Sequence, residues 1–488
     1  MKAFKTIVIS LLIIFALGIT GVFGVEYFIE KKLKVQKNLT YEEFKMTFGG
    51  NLSFKNLSFK NEVVDAKVES VKLSIGLWKL ITSDTIVIQN STLKSAHVVL
   101  YQSALDSLNN SSDSIQSDSR KNQREFALRT VDLKGLDFYR LQSKKKNSDT
   151  LTHAKEIQVQ LELNDIKDIK FEQLKTLHIG YFRQKAGVLQ DIAGHQIDYN
   201  DNVLNIDTFK VFTRYSKENY INYIPEQKDH VDLVAHGMVL DSLHLDLNQN
   251  ALSLISLNEI NVDSFDLNVF RNKHIPPYSK IKPTYGQMIQ KLNFKIDANA
   301  LIARNSKISY AMTGDKAPIS KIDLKNVNAK LSHIHNIPEK NQNAILSGTF
   351  SLSDNSLIGV DYSYNQFAHV ETFVLDIHAT NIETSSVNSM LRPEVNAELN
   401  GLIKELKVHM SAQGTADGSL KIKSQNIEVD VYNKKGEERK VVSFIASKLL
   451  NPPIEKESKI EGFERDKTRS MWHFSWYFVL EGLKNTLL

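Results

Sequence analysis

Apolar and polar residues alternate along most of the chain from about Phe48 onward. A period of two places successive side chains on opposite faces of a β-strand, so the pattern predicts strands with one apolar and one solvated face. The chain is therefore predicted to be mostly β, as an elongated, twisted antiparallel sheet. The clearest runs are Val71, Leu73, Ile75 and Leu77; Ile157, Val159, Leu161 and Leu163; Leu243, Leu245 and Leu247; Phe373, Leu375 and Ile377; and Leu406, Val408 and Met410.

Helical periodicity is scarce, and the best example lies at the C-terminus. One stripe along a helix is formed by residues at spacings of four, three, four and four, namely Trp472, Trp476, Val479, Leu483 and Leu487, and Phe474 and Phe478 widen it. We expect this stripe either to pack over the end of the sheet or to dock on a membrane or a partner. Further short helices are predicted at residues 285–291, 385–390 and 441–450.

Two kinds of polar signal interrupt the alternation. Residues 103–125 are rich in Ser, Asn and Asp, which predicts a flexible loop. Asp417-Gly418, between two alternating runs, predicts a hairpin turn. A loose internal repeat is also visible, because residues 85–101 and 295–310 both place an Asn-containing turn between short apolar pairs and both end on Tyr. Recurring strand-and-turn units favour a quasi-one-dimensional sheet.

The apolar face of such a sheet must be covered, and the predicted helices are too few to cover it. The sheet could close as a sandwich or barrel, coil as a β-helix, or curl into a gutter lined by acyl chains. The low count of 21 glycines weakens the β-helix alternative, since tight repeated turns favour Gly. For the gutter, the candidate lining residues are Val71, Leu73, Ile75, Leu243, Leu245, Leu247, Phe373, Leu375 and Ile377.

The N-terminus contains a long apolar segment. Residues 6–25 carry no charge, and a helix of that length is about 30 Å long, so residues 1–25 predict a single transmembrane anchor. A cleaved signal peptide is the alternative, although its apolar core is usually shorter. Lysines stand on both sides of the segment, so charge alone leaves the orientation open.

Composition excludes several classes of function. The 488 residues include 61 basic and 56 acidic side chains, for a net charge of +5, which is too close to neutral for a nucleic-acid-binding protein. The chain has no Cys, which excludes disulfides, iron–sulfur clusters and thiolate zinc sites. The absence of thiols also suits an oxidising compartment.

The sequence predicts no catalytic, cofactor or metal site. His333 and His335 lie two apart, but two histidines without a third ligand do not make a metal site, so we expect surface histidines. Phosphate-binding loops, dinucleotide-binding glycines, G-x-S-x-G and H-E-x-x-H are all absent. A carboxylate pair of the glycosidase type leaves no signature in a single sequence. A polysaccharide-active β-rich enzyme therefore stays as a minor alternative.

Three stretches of the chain carry a family resemblance. They are the apolar N-terminal segment with residues 48–59 and 68–101, residues 265–310, and residues 463–487, which contain an Arg-Asp and a Gly-Leu-Lys. Together they resemble the AsmA-like family of bacterial envelope proteins, relatives of TamB, in the form common in Bacteroidota. The resemblance covers both ends and the middle of the chain, and the C-terminal stretch is its most specific part.

The resemblance implies a repeating β-groove like that of bridge-like lipid-transfer proteins. It also implies an inner-membrane anchor, a body in the periplasm, no catalytic residues and no cofactor. The implied partners are the inner membrane, phospholipid acyl chains, and an outer-membrane or periplasmic partner at the C-terminal end. The implied function is to bind or conduct phospholipid for outer-membrane lipid homeostasis, with a non-transporting structural or assembly factor for outer-membrane proteins as the alternative. The corresponding segments are 1–25, the anchor; 26–102, an N-terminal β segment; 103–125, the loop; 126–440, the groove body; and 441–488, the C-terminal segment.

Overall fold

The computed structural model describes eight stretches of the chain. They are residues 38–47, 50–75, 85–111, 125–163, 170–248, 251–314, 317–433 and 454–487. The predicted anchor at 1–25 and the predicted helix at 441–450 lie outside the described residues. Most described residues lie in 21 strands and few in helices, so the mostly β class is confirmed. The chain divides into two compact units, Met1–Phe209 with Leu243–Leu254, and Lys210–Ser242 with Ile255–Leu488.

Among the described residues, the first unit holds the N-terminal strands and one α-helix. Its strands are β1 (Leu39–Thr40), β2 (Glu43–Met46), β3 (Asn51–Lys60), β4 (Val64–Ile75), β5 (Thr85–Tyr101), β6 (Glu125–Leu141), β7 (Thr150–Glu162), β8 (Leu174–Ala186), β9 (Gln190–Asn200) and β12 (His244–Asn248). Helix α1 (Gln102–Ser111) follows β5. Two strands, β10 (Val203–Thr213) and β13 (Ala251–Asn272), contain points at which the chain passes between the units.

Strand direction in the first unit differs from the prediction. Strands β3 to β9 pair in chain order, and every pair is antiparallel except β5 with β6, which run parallel with Leu93 opposite Leu133. A parallel pair needs a long return connection, and here that connection begins with α1. The sheet is thus mixed, and the purely antiparallel sheet is wrong. The first part of the predicted loop at 103–125 is helical, and residues 112–124 lie outside the described residues.

A line of left-handed residues crosses the strands of the first unit. Asn56, Ser95, Gly135 and Glu156 have φ angles of +49°, +51°, +76° and +56°. The pairing of β6 with β7 shifts register beside Gly135 and Glu156, which marks β-bulges there, whereas the register of β3 to β5 is unshifted at Asn56 and Ser95. The left-handed positions are aligned, because residues beside them pair across β3 to β7 in one row, Leu57, Val68, Ala96, Leu136 and Ile157. The apolar sides of these strands form one core.

The two repeated stretches are continuous strands. Residues 85–101 are β5, and residues 295–310 lie within β14 (Lys295–Gly314). The expected internal turns are wrong, because β5 and β14 run on without interruption through Ser95 and Asn305, whose φ angles are +51° and +48°. Asn and Ser tolerate left-handed geometry in bulges as well as in turns, so their presence does not distinguish the two.

In the part of the second unit that the structure describes, there are the remaining strands and three α-helices. Its strands are β11 (His230–Leu240), β14, β15 (Ala317–His335), β16 (Ala344–Ser351), β17 (Leu357–Tyr364), β18 (Thr372–Glu383), β19 (Ala397–Gln413), β20 (Thr415–Val431) and β21 (Ile454–Phe463). Its helices are α2 (Tyr285–Gln290), α3 (Ser385–Val395) and α4 (Met471–Leu487). All three confirm helices predicted from the sequence, and α3 is longer than expected.

Strands β14 to β21 pair antiparallel in chain order, and β11 pairs antiparallel with β13. The hairpin between β19 and β20 turns at Gly414, whose φ is +90°, and not at Asp417-Gly418 as predicted. Gly418 lies inside β20, where an added Cβ would stand 1.9 Å from the carbonyl oxygen of His409. Close backbone approach, rather than a turn, therefore explains this glycine.

Candidate functional site

One face of the second unit's sheet is apolar from β14 to β21. In an antiparallel ladder the residues opposite each other share a face, so the register defines rows of side chains across the strands. One row runs Leu331, Leu346, Tyr362, Leu375 and Met410. The row beside it runs Ala329, Gly348, Val360, Ile377, Val408 and Leu420.

The exposure of this face changes from one side of the unit to the other. Leu375 and Met410, on β18 and β19, are 1% and 0% exposed. Leu331, Leu346 and Val360, on β15 to β17, are only half-buried although they belong to the same rows. The face is thus a closed core on one side and remains partly open on the other.

Helix α4 covers the closed side. Its Phe474 and Phe478 are buried, and the ring of Phe474 meets that of Phe373 edge-on at 6.0 Å and stacks on that of Phe463 at 5.7 Å. The helix approaches closely at Gly482, where an added Cβ would stand 2.7 Å from the Cβ of Leu420. These contacts hold α4 against β19, β20 and β21 and exclude water from the apolar face beneath it.

The predicted stripe of α4 is not its main packing surface. Val479 is buried, and Trp476 and Leu483 are half-buried, but Trp472 is 55% exposed. The two buried phenylalanines described above lie beside the stripe and make the central contact. The helix is apolar on more than one side, so its periodicity alone could not show which side meets the sheet.

The close approach at Gly482 gives a first prediction. We expect Gly482→Leu to lower the melting temperature by several degrees, because its side chain would collide with Leu420 and lift the helix. The matched control is Asn485→Leu, on an exposed position of the same helix, which should change the melting temperature little. Thermal unfolding followed by circular dichroism measures both. Equal melting curves for wild type and Gly482→Leu would contradict the packing described here.

The partly open side extends to β11, β13 and β14. Val231 pairs with Val269 and Leu233 with Leu267, and all four are half-buried. Arg304 on the polar side of β14 donates from its Nη2 to Oδ1 of Asn261 on the polar side of β13, at 3.3 Å. The apolar sides of β13 and β14 therefore lie on the same face of the sheet. We call this region the open apolar face, and it comprises Val231, Leu233, Leu267, Val269, Ile308, Leu324, Leu331, Leu346 and Val360.

The nine predicted lining residues fall into different places. Val71, Leu73 and Ile75 are buried in the core of the first unit. Leu243 is buried, and Leu245 and Leu247 on β12 are half-buried. Phe373 and Leu375 are buried on the covered side of the second unit, and Ile377 is half-buried beside them. Within each of the three runs, the residues share one face of the strand, as the alternation predicts. That these nine residues bind lipid stays a prediction.

The open apolar face itself contains none of those nine residues. Its strands are less apolar in sequence, as in Asn328 to Ser332, where an alanine and a leucine alternate with polar residues. The signal that could have identified it is the register, which continues the rows of β18 and β19 into β17, β16 and β15.

The opposite face of β17 to β21 is polar and charged. His409 Nδ1 lies 2.7 Å from Oδ1 of Asp376, and Lys421 Nζ lies 3.1 Å from Oε1 of Glu455. The same side forms a shallow depression of about 650 Å³. Alternating charges on an exposed sheet face keep that face solvated, so the sheet is amphipathic and its apolar side is the one that needs a cover.

One group of side chains in the first unit has metal-ligand geometry. Ligand atoms of Glu172, His244 and Asp246 lie within 4.8 Å of one another, and His244 Nε2 is 2.9 Å from Oδ1 of Asp246. These three residues could hold a cation at the surface. The predicted surface pair His333 and His335 is partly wrong, because His335 is buried with its ring 5.6 Å from that of Phe367.

Aromatic side chains crowd the ends of the strands next to α4. Tyr285 on α2 meets the rings of Tyr362 and Tyr364 at 6.5 and 6.1 Å, and burial raises the pKa of all three phenols. On α4, burial lowers the pKa of His473 to about 4, and its ring stacks on Tyr477 at 4.1 Å. All four groups are thus neutral near pH 7, as expected of packing residues.

Comparison with known proteins adds no assignment. No model of a known protein family matches the chain, and no curated protein matches it. Among the described residues, none of the helices has the length and apolar character needed to cross a bilayer.

Proposed function

We propose that this chain is a lipid-binding protein of the bacterial envelope, anchored in the inner membrane by residues 1–25, with its body in the periplasm. The observation that carries the proposal is the open apolar face, which continues the rows of a dry core, lies outside the cover that α4 provides and stays half-buried although α3 packs against β15. Phospholipid acyl chains are the ligands that this face fits. The support for the anchor is the uncharged segment at 6–25, and the family resemblance supports the rest.

The energetics favour an acyl chain on such a face. Each methylene removed from water contributes about 0.8 kcal/mol, so a chain lying across several strands gains several kcal/mol without any polar contact. Half-buried side chains such as Leu331 and Leu346 gain as well, because the same chain removes their remaining surface from water. In this proposal the face forms part of the β-groove that the resemblance implies, and it carries lipid rather than catalysing a reaction.

Site-specific photocrosslinking tests the proposal. We expect a photoreactive phenylalanine analogue at Leu346 to trap phospholipid in growing cells, detected by mass spectrometry of the purified full chain. The matched control is Thr349 on the same strand, which is exposed and lies on the opposite face. Lipid at both positions would indicate non-specific labelling, and protein at Leu346 would support an assembly factor instead. Either outcome would reject lipid binding by this face.

The proposed topology can be tested because the chain has no Cys. We expect a cysteine introduced at Asp354, whose side chain is 96% exposed, to react with a membrane-impermeant maleimide in intact spheroplasts. A cytoplasmic marker protein should react only after lysis. If the cysteine at position 354 also reacts only after lysis, the body lies in the cytoplasm and the proposed topology is wrong.

A further inference from the structure

A second apolar surface of the second unit has no residue in common with the open apolar face. It consists of large apolar side chains that are strongly exposed, on three segments near α2 and the start of α4. We call it the apolar–basic patch, and its apolar members are Ile281, Met288, Leu292, Val370 and Trp472. Ile281 is 72% exposed and Trp472 is 55% exposed, which is unusual for residues of this size.

The three segments are joined by direct contacts. The backbone N–H of Lys282 donates to the carbonyl oxygen of Lys467 at 2.8 Å, and the side-chain amide of Gln287 donates to that of His369 at 3.3 Å. The rings of Tyr285 and Trp472 lie 6.3 Å apart. The exposed side chains therefore belong to one surface and not to separate loops.

A buried ion pair holds this surface in shape. Arg465 Nη1 lies 2.8 Å from Oε1 of Glu371, and these side chains are only 2% and 7% exposed. Nη2 of the same arginine donates to the carbonyl oxygens of Lys282 and Arg469, each at 2.8 Å. The ion pair therefore ties together the backbone of the segments that carry the patch. A preformed apolar surface loses little conformational entropy when it binds, because its backbone is already ordered.

Lysines predominate among the charged residues around the patch. Residues 272–296 contain five lysines and no carboxylate. Lys467 on the third segment is also exposed, whereas the nearby acidic residue Asp466 lies 3.6 Å from the guanidinium of Arg469. Glu464 on the third segment is exposed, and on another segment Glu226 accepts hydrogen bonds from Ser279, so carboxylates also stand at the edge. Lysines still outnumber acidic groups clearly.

We infer that the apolar–basic patch docks on a lipid surface that contains anionic headgroups. Trp and Tyr with flanking lysines are the side chains that sit at the boundary between acyl chains and headgroups, because their rings enter the apolar layer while the ammonium groups stay in water. Lysines near an anionic leaflet each add about fivefold to the affinity. This inference does not depend on lipid binding by the open apolar face.

The test places a reporter directly on the patch. The full chain is held in phosphatidylcholine nanodiscs, and Met288→Cys is labelled with an environment-sensitive fluorophore. We expect a blue shift when vesicles containing phosphatidylglycerol are added, and little change with vesicles of phosphatidylcholine alone. The matched control is Val188→Cys in the first unit, which is 79% exposed and should not respond. Val370→Cys, also exposed, provides a second reporter on the patch.

Charge substitutions complete the test. In the Met288→Cys background, Lys291→Gln should weaken the response to phosphatidylglycerol vesicles roughly fivefold, and raising the salt concentration should weaken it further. No blue shift at either reporter position, or a response of the same size to phosphatidylcholine vesicles, would overturn the inference. A shift produced only by a protein extract, and not by vesicles, would overturn it too and indicate a protein partner.

Discussion

Replacing Leu346 with aspartate should abolish lipid capture on the open apolar face while leaving the second unit folded. Leu346 is half-buried, so the new carboxylate can keep water and should cost the fold only about 1 kcal/mol. An acyl chain on that face would have to strip the water from the charge. Lipid trapped by a photocrosslinker at Leu331, the neighbour of Leu346 across the ladder, should fall at least about tenfold.

Aspartate at Leu375, which stands in the same row as Leu346 but on β18, should act differently. Leu375 is 1% exposed beneath α4, so Leu375→Asp buries an unpaired carboxylate. We expect a loss of more than about 4 kcal/mol and a fall in melting temperature of roughly 10 °C or more. The control for Leu346→Asp is Thr349→Asp on the polar face, which should retain both stability and lipid. Unfolding by Leu346→Asp would show a closed core, and undiminished crosslinking would show that lipid does not use this face.

Deletion of α4 should have the second large effect. A chain that ends at Arg469 loses five buried apolar side chains, Met471, Phe474, Phe478, Val479 and Leu480, whose burial contributes on the order of 10 kcal/mol. That sum is comparable to the stability of a whole domain. In the truncated chain, water would reach three side chains that are buried in the full chain, Leu375, Met410 and Leu420. We expect strong binding of a hydrophobic dye and loss of cooperative unfolding in the second unit.

A substitution on the exposed side of α4 is the control for the deletion, because it changes the helix without uncovering the core. Trp472→Ser changes an exposed residue, so it should leave dye binding and the melting curve close to those of the wild type. The measurements are dye fluorescence at equal protein concentration and thermal unfolding by circular dichroism. A truncated chain that binds no more dye than the wild type and unfolds normally would show that α4 is not the cover of this core.

The alternation of apolar and polar residues determined the class of fold. It fixes which side chains share a face, and that property belongs to a single strand, as in Phe373, Leu375 and Ile377 on β18. The C-terminal helix and the short helices at α2 and α3 were also evident, since a period near 3.6 is again a local property. The resemblance to a known family added an expected function.

Local pattern could not supply strand direction or the position of turns. The parallel pair of β5 and β6 depends on where the chain returns after α1, which no residue within either strand specifies. Ser95 and Asn305 adopt left-handed φ angles inside continuous strands, although similar residues form turns elsewhere. Gly418 looks like a turn residue beside Asp417, yet it lies opposite Met410 within a ladder that turns at Gly414.

The candidate site depended most on tertiary structure. Sequence alone identified Leu375 as apolar and inward-facing, and it did the same for the runs in the first unit. Whether such a residue is dry or partly open depends on what packs above it, and that is decided by α4, which lies about 100 residues later in the chain. Leu346 and Leu375 belong to one row and have the same character, but only one of them lies under the helix. Burial is a property of the assembled fold, because it depends on every neighbour that reaches the side chain and not on the side chain itself.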